Sequence, residues 1–311
     1  MKAFISIIFL AFSMTVVAAG SDAQLPDPIK LEQAANQGDA QAQFDLGLEY
    51  MTGRGVERDY REAAFWFGKA AKQGYAKAQF HLAMMYAAGQ GVSQDITAAM
   101  KWYRKAAEQG YASAQLLLGQ MYENGQNVMR DGAQAMDWFR KAAEAGNAVA
   151  QNLIGTRYRL GQSVPQDYRQ AVSWFRRAAR LGYAEAQYNL GLMYAQGLGV
   201  RQDYREAAHW YRKAAGQGNT DAQFALGVMY QSGLGVRKDP RQAMHWYRKA
   251  AEQGDARAQN SMGEMVASGE VGKPDLLRAY EWFSEAAAAG NESAQNNQAQ
   301  LESRMSGKQR K

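Results

Sequence analysis

An all-α solenoid of seven 36-residue helix-turn-helix repeats with half-repeat caps is the fold class this sequence predicts, and three observations predict it. The seven tryptophans, Trp66, Trp102, Trp138, Trp174, Trp210, Trp246 and Trp282, stand 36 residues apart without a slip. Each interval holds two stripes of apolar residues at helical spacing. Glycine pairs separate the stripes, as at Gly53 and Gly55 or Gly89 and Gly91, where a chain redirects between helices. A fixed period of roughly 20 to 50 residues marks units that stack on their neighbours and present an extended surface. One elongated domain is expected, not two globular ones.

The first element is a leader. Met1 and Lys2 precede an apolar run from Ala3 to Val17, followed by Ala18-Ala19 and Gly20-Ser21-Asp22-Ala23. Residues 1–23 read as a secretory signal peptide cleaved after Ala19 or Ala23. The run is short of the about 20 apolar residues that span a bilayer, so no transmembrane segment is expected in the mature chain.

The repeat array is expected over 24–305, with repeats at 39–74, 75–110, 111–146, 147–182, 183–218, 219–254 and 255–290. In the first helix of each, Ala42, Leu46 and Tyr50 or their equivalents form the stripe, and a glutamine always follows the alanine. The small residue at Gly47, Ala83, Gly119 and onward predicts close helix-to-helix approach, since glycine inside a helix costs about 1 kcal/mol. In the turn, Asn127 and Ser163 replace the second glycine and Gly269-Glu270-Val271-Gly272 is rearranged. Asparagine tolerates the left-handed conformation; the turns at Ser163 and Gly269 are expected to differ.

The second helix starts at an aspartate in every copy: Asp59, Asp95, Asp131, Asp167, Asp203, Asp239 and Asp275. Its carboxylate caps the free amides of the first turn and opposes the helix dipole favourably. Pro240 fits the first helical position. Ala63, Trp66, Phe67 and Ala70 form the buried stripe, so the tryptophan and the aromatic after it are read as core. The helix closes with Ala-Ala-x-x-Gly. Residues 31–38 carry only that closing motif and 291–305 only the opening one, which makes them caps. A short basic tail, 306–311, follows.

Composition excludes several function classes. The chain has no cysteine, so disulfides, thiol catalysis and thiolate metal sites are out. Its net charge of +6 includes Lys2 in the leader and Lys308, Arg310 and Lys311 in the tail. Without those the array is nearly neutral and lacks the basic footprint of a nucleic-acid binder. The G-x-G turns follow no strand, so they are not nucleotide loops. No copy departs from the others enough to hold an active site. No enzyme, cofactor or metal site is expected.

The motif A-x-A-Q-x-x-L-G-x-x-Y-x-x-G-x-G-V-x-x-D-x-x-x-A-x-x-W-Y-x-K-A-A-x-x-G, almost whole from Ala184 to Gly218, resembles the Sel-1-like repeat, a relative of the tetratricopeptide repeat. The likeness covers about Leu31 to Met305. It implies right-handed superhelical α/α arrays that act as adaptors for protein complexes, often in bacterial export and envelope settings. Some exported relatives are cysteine-rich and linked to cell-wall precursors; this chain lacks those cysteines.

Two sets of residues are candidates for recognition. In tetratricopeptide arrays the first helix lines the concave groove, and here its varying positions are Phe44, Phe80, Leu116, Asn152, Tyr188, Phe224 and Asn260. Beside them stand Leu48, Met84, Gln120, Thr156, Leu192, Val228 and Glu264. Apolar anchors of this kind suit an extended peptide or a helix of a protein partner; inter-repeat packing is the competing reading. The second set is a basic ladder, Arg104, Arg140, Arg176, Arg212 and Arg248, each followed by a second basic residue. Stacked at about 10 Å per layer, it would suit an anionic envelope glycan or acidic protein; helix-dipole compensation is the competing reading. His209 and His245 precede successive tryptophans where other copies hold Phe65, Lys101 or Asp137, an exposed place. The expected function is a non-catalytic protein-interaction scaffold of the bacterial envelope, exported to the periplasm or secreted. A cell-wall or polysaccharide binder is the alternative.

Overall fold

The computed structural model describes residues 28–308, with side chains from 29 to 305. The leader, 1–23, and the side chains of the tail, 306–311, lie outside the described residues. The described residues form helices and no strand. A capping helix α1 (Pro28–Asn36) precedes seven pairs: α2 (Ala40–Thr52) and α3 (Tyr60–Lys72); α4 (Ala76–Ala88) and α5 (Ile96–Glu108); α6 (Ala112–Asn124) and α7 (Gly132–Glu144); α8 (Ala148–Leu160) and α9 (Tyr168–Arg180); α10 (Ala184–Gln196) and α11 (Tyr204–Gly216); α12 (Thr220–Ser232) and α13 (Pro240–Glu252); α14 (Ala256–Ser268) and α15 (Leu276–Ala288). Helix α16 (Glu292–Lys308) ends the array. Each helix packs on its partner within the repeat, and within each unit the second helices pack on the first helix that follows. The contacts gather into two compact units, one ending at Asn147 and one beginning at Ala148.

The local signals fold as their chemistry dictates. Each of the seven aspartates caps its helix; Asp59 Oδ1 accepts from the amides of Arg61 at 2.7 Å and Glu62 at 3.3 Å. Bonds of this kind to the Gln134 and Ala133 amides hold the Asp131 carboxyl below its ordinary range. Pro240 occupies the first turn of α13. The turn position of Gly91 shows why glycine is needed: φ is +69° and a Cβ would collide with the Tyr60 carbonyl oxygen. Asn127 takes the same left-handed region at φ 57°, and so does Ser163 at φ 61°. The Ser163 turn thus keeps the conformation that its sequence put in question.

The core is a zip of glycine against aromatic. The residue after each tryptophan is the buried one: Phe67, Phe139 and Phe175 are fully enclosed, and Tyr103, Tyr211, Tyr247 and Phe283 nearly so. A Cβ at Gly47, Gly191 or Gly227 would come within 2.5–2.7 Å of the ring opposite, Phe67, Tyr211 or Tyr247. The helices approach that closely because the small residue leaves room for the ring. Tryptophan sits one step outward. Trp66 is buried against α1, but the other six are only half-buried. Trp102 and Trp210 lie against the cores of the preceding repeats, and the basic residue three positions on covers the outer ring face. Lys105 lies 4.8 Å from the Trp102 centroid, Lys141 4.2 Å from Trp138, Arg177 4.7 Å from Trp174 and Lys213 4.8 Å from Trp210. Those six tryptophans are therefore seam-fillers, less enclosed than a core position.

A buried glutamine network joins the repeats. The glutamine after each first-helix alanine donates to a closing alanine carbonyl of the second helix before it: Gln79 to Ala71 at 3.2 Å, Gln115 to Ala107 at 3.0 Å, Gln187 to Ala179 at 3.2 Å. Its own amide oxygen accepts from a second glutamine at the end of its repeat. Those bonds run from Gln73 to Gln43 (2.8 Å), Gln109 to Gln79 (2.6 Å), Gln217 to Gln187 (2.8 Å) and Gln253 to Gln223 (2.7 Å). Where Ala145 and Ala289 stand in place of that second glutamine, the buried Oε1 atoms of Gln115 and Gln259 find no donor.

Candidate functional site

The first helices place the varying residues on one face, but they do not leave them equally open. Phe44 and Phe80 are 6% and 8% exposed, and Met84 is buried too. The reason lies in the next repeat. Tyr75, the residue that enters α4, packs its ring 5.3 Å from Phe44, and Tyr111 packs 5.2 Å from Phe80. These two phenylalanines are inter-repeat core, the competing reading of the sequence. Leu48, Leu116 and Gln120 remain half-exposed.

In the sixth and seventh repeats Asn219 and Asp255 hold the entering place, and the outcome reverses. Their side chains fold back to cap their own helices: Asn219 Oδ1 accepts from the Ala222 amide at 2.8 Å, and Asp255 Oδ1 from the Arg257 and Ala258 amides at 2.9 and 3.0 Å. Asn219 also donates to Glu185 of the preceding repeat at 3.0 Å, but neither side chain lays a ring over that repeat as Tyr75 and Tyr111 do. Tyr188, Leu192, Phe224 and Val228 are all half-exposed on α10 and α12. Tyr188 and Phe224 rest on the buried rings of Tyr211 and Tyr247, each at 5.7 Å. Burial and the Asp221 carboxylate push the Tyr188 phenol up.

A polar rim flanks these four residues. Arg257 pairs with Asp221 at 2.6 Å and Asp255 at 2.5 Å, and its guanidinium lies 4.6 Å over the Phe224 ring. The Asp255 hydrogen bond holds that guanidinium charged. Further polar bonds link successive first helices at the ends of this face, Asn189 to Asn152 at 3.0 Å and Asn297 to Asn260 at 2.9 Å. An apolar centre with a hydrogen-bonding margin is the anatomy of a protein interface. The sequence signal for the open stretch was the entering residue, aromatic in Tyr75 and Tyr111 but a capping type in Asn219 and Asp255.

The basic ladder is partly internal. Arg104, Arg176 and Arg212 donate to the hydroxyls of Tyr122, Tyr194 and Tyr230 at 3.2, 3.0 and 3.3 Å, tying each second helix to the following first helix. Arg140 lies 3.6 Å from Asp137 on its own helix, and Arg248 faces a repeat with Val266 in place of the tyrosine. His209 and His245 are exposed, edge-on to Trp210 and Trp246. His81 is buried among Phe44, Phe67 and Phe80, and burial lowers its pKa to about 4. Among the described residues no group of three or more His, Asp or Glu side chains could hold a metal ion, and no helix is long and apolar enough to cross a membrane.

The Sel1 repeat model matches seven times without a gap, at residues 40–75, 76–111, 112–147, 148–183, 184–219, 220–255 and 256–291. The chain belongs to the Sel1 repeat family. Sel1 repeat proteins are protein-interaction scaffolds, and the match indicates no catalytic family. Comparison with curated proteins finds no match. Among solved structures, the chain is similar to a protective antigen of uropathogenic Escherichia coli strains that displays an SLR fold. Identity is 39% and the TM-score 0.82, over 89% of this chain and 59% of the antigen. This chain therefore spans less than two thirds of that relative's length. It is also similar to a Sel1 repeat protein from Oxalobacter formigenes, at 38% identity and a TM-score of 0.60, over 72% of this chain and 92% of the other.

Proposed function

We propose that this Sel1 repeat protein is an adaptor of the bacterial envelope that holds a protein partner on the first-helix face of its second unit. The observation that carries the reading is the half-exposed set Tyr188, Leu192, Phe224 and Val228, left without a covering ring because Asn219 and Asp255 cap their helices, with the Arg257 guanidinium over Phe224. Rigid aromatic anchors beside exposed polar groups suit an amphipathic helix or extended segment. Leu48, Leu116 and Gln120 supply a smaller counterpart in the first unit. The leader-like residues 1–23 support export to the periplasm. The test is affinity capture with the mature chain from envelope extract, run beside sedimentation with purified peptidoglycan. A defined protein retained by the chain and lost with Leu192→Glu supports the adaptor. Retention on glycan with no protein partner would replace it with cell-wall binding.

A further inference from the structure

The turns of the second unit carry charge that the proposed partner face does not use. Two successive clefts open where a second helix begins beside the next repeat's turn. One, of about 630 Å³, is lined by Tyr194, Arg201, Asp203, Arg205 and Gly235. The other, of about 790 Å³, is lined by Tyr230, Arg237, Lys238, Arg241 and Glu270, with Arg212 reaching in from α11. Every residue that lines the first cleft has its counterpart 36 residues on in the second, so the clefts are the same feature in adjacent layers. Each holds an arginine pair four residues apart, Arg201 with Arg205 and Arg237 with Arg241. The same places in the second repeat hold Ser93, Gln94 and Thr97, which carry no charge.

These cations have no internal partner. Arg201, Arg205, Arg237, Lys238 and Arg241 are exposed and make no ion pair among the described residues. Asp203 and Asp239, which line the clefts beside them, accept from the amides of their own helices. Asp239 and Glu270 line the second cleft against four cations, Arg212, Arg237, Lys238 and Arg241. Guanidinium groups in excess over carboxylates in a concave site attract further carboxylates and bind them bidentately.

We propose that this turn edge of the fifth and sixth repeats binds an acidic, extended segment of a protein partner, one carboxylate group per cleft. The proposal rests on the scaffold reading and adds a second contact surface to it. Layers about 10 Å apart match every third residue of an extended chain, which advances about 3.3 Å per residue. The segment is therefore expected to carry Asp or Glu at every third position.

The test uses the purified full-length chain and two labelled peptides of equal charge, one with aspartates at every third position and one with them in a block, plus heparin as a polyanion control. Fluorescence anisotropy should show the spaced peptide binding at least about tenfold more tightly than the block, weakening between 50 and 200 mM salt. Arg237→Glu with Arg241→Glu, at exposed sites, should remove binding on the order of tenfold without shifting Tm, while Leu192→Glu leaves it unchanged. Equal binding of both peptides and heparin, or binding that survives the double substitution, overturns the proposal. If capture on the first-helix face persists in either case, the adaptor reading stands without this edge.

Discussion

His81 is the residue whose chemistry is most at odds with its surroundings. It lies among phenylalanine rings where the third and fourth repeats hold Leu117 and Leu153, and burial lowers its pKa from 6.5 to about 4. The folded form therefore binds its proton less readily than the unfolded chain. Stability through this group is full above pH 6.5 and falls as pH drops toward 4, by roughly 2 kcal/mol at pH 5. Urea unfolding at pH 7 and pH 5 should show that difference, and His81→Leu should remove its share of it. A second residue-scale test concerns Gln115, whose buried Oε1 lacks the donor that Gln109 gives Gln79. Ala145→Gln restores the donor and should raise stability by about 1 kcal/mol, read as a higher urea midpoint. An unchanged midpoint would mean that the glutamine network adds nothing.

At the scale of the helix pair, the element boundaries were legible because each carries its own signal: an aspartate cap, a left-handed glycine and a closing Ala-Ala-x-x-Gly. The ranking within the pair was not. Period 36 marks Trp210 and Tyr211 alike as stripe residues, but the small residue opposite, glycine or Ala83, decides which one is enclosed. Gly191 admits the Tyr211 ring, while Trp210 stays half-buried under Lys213. Tyr211→Ala should cost about 4 kcal/mol and Trp210→Ala clearly less, measured by urea unfolding; the opposite order would contradict the zip of glycine and aromatic. The first-helix face was half-legible for a related reason. Periodicity showed which positions share the face, but whether Phe44 or Phe224 is open depends on a side chain 31 residues later, Tyr75 or Asp255, in another helix. Helical spacing within one element carries no information about that contact. The basic ladder was half-legible in the same way, since Arg104, Arg176 and Arg212 meet tyrosines 18 residues on.

At the scale of the whole chain, seven copies of one pattern give a scaffold in which identity between repeats builds the core and difference between repeats builds recognition. The entering column, Tyr75, Tyr111, Asn147, Tyr183, Asn219 and Asp255, acts as a row of covers, closed by tyrosine and opened by a capping residue. In the second unit Asn219 and Asp255 are two such positions, and there Tyr188, Phe224 and their neighbours are half-exposed; Asn291 continues the column as a cap, but Asn260 before it is buried and bonded to Asn297. The decisive measurement uses the captured partner in a binding titration with the wild-type chain and with Asn219→Tyr plus Asp255→Tyr. These substitutions leave Tyr188, Leu192, Phe224 and Val228 untouched and supply the ring that closes Phe44 and Phe80. Affinity should fall on the order of a hundredfold while Tm stays within a few degrees, since the lost caps are worth about 1 kcal/mol each and the new rings add packing. Unchanged affinity in a folded double variant would contradict recognition at this face.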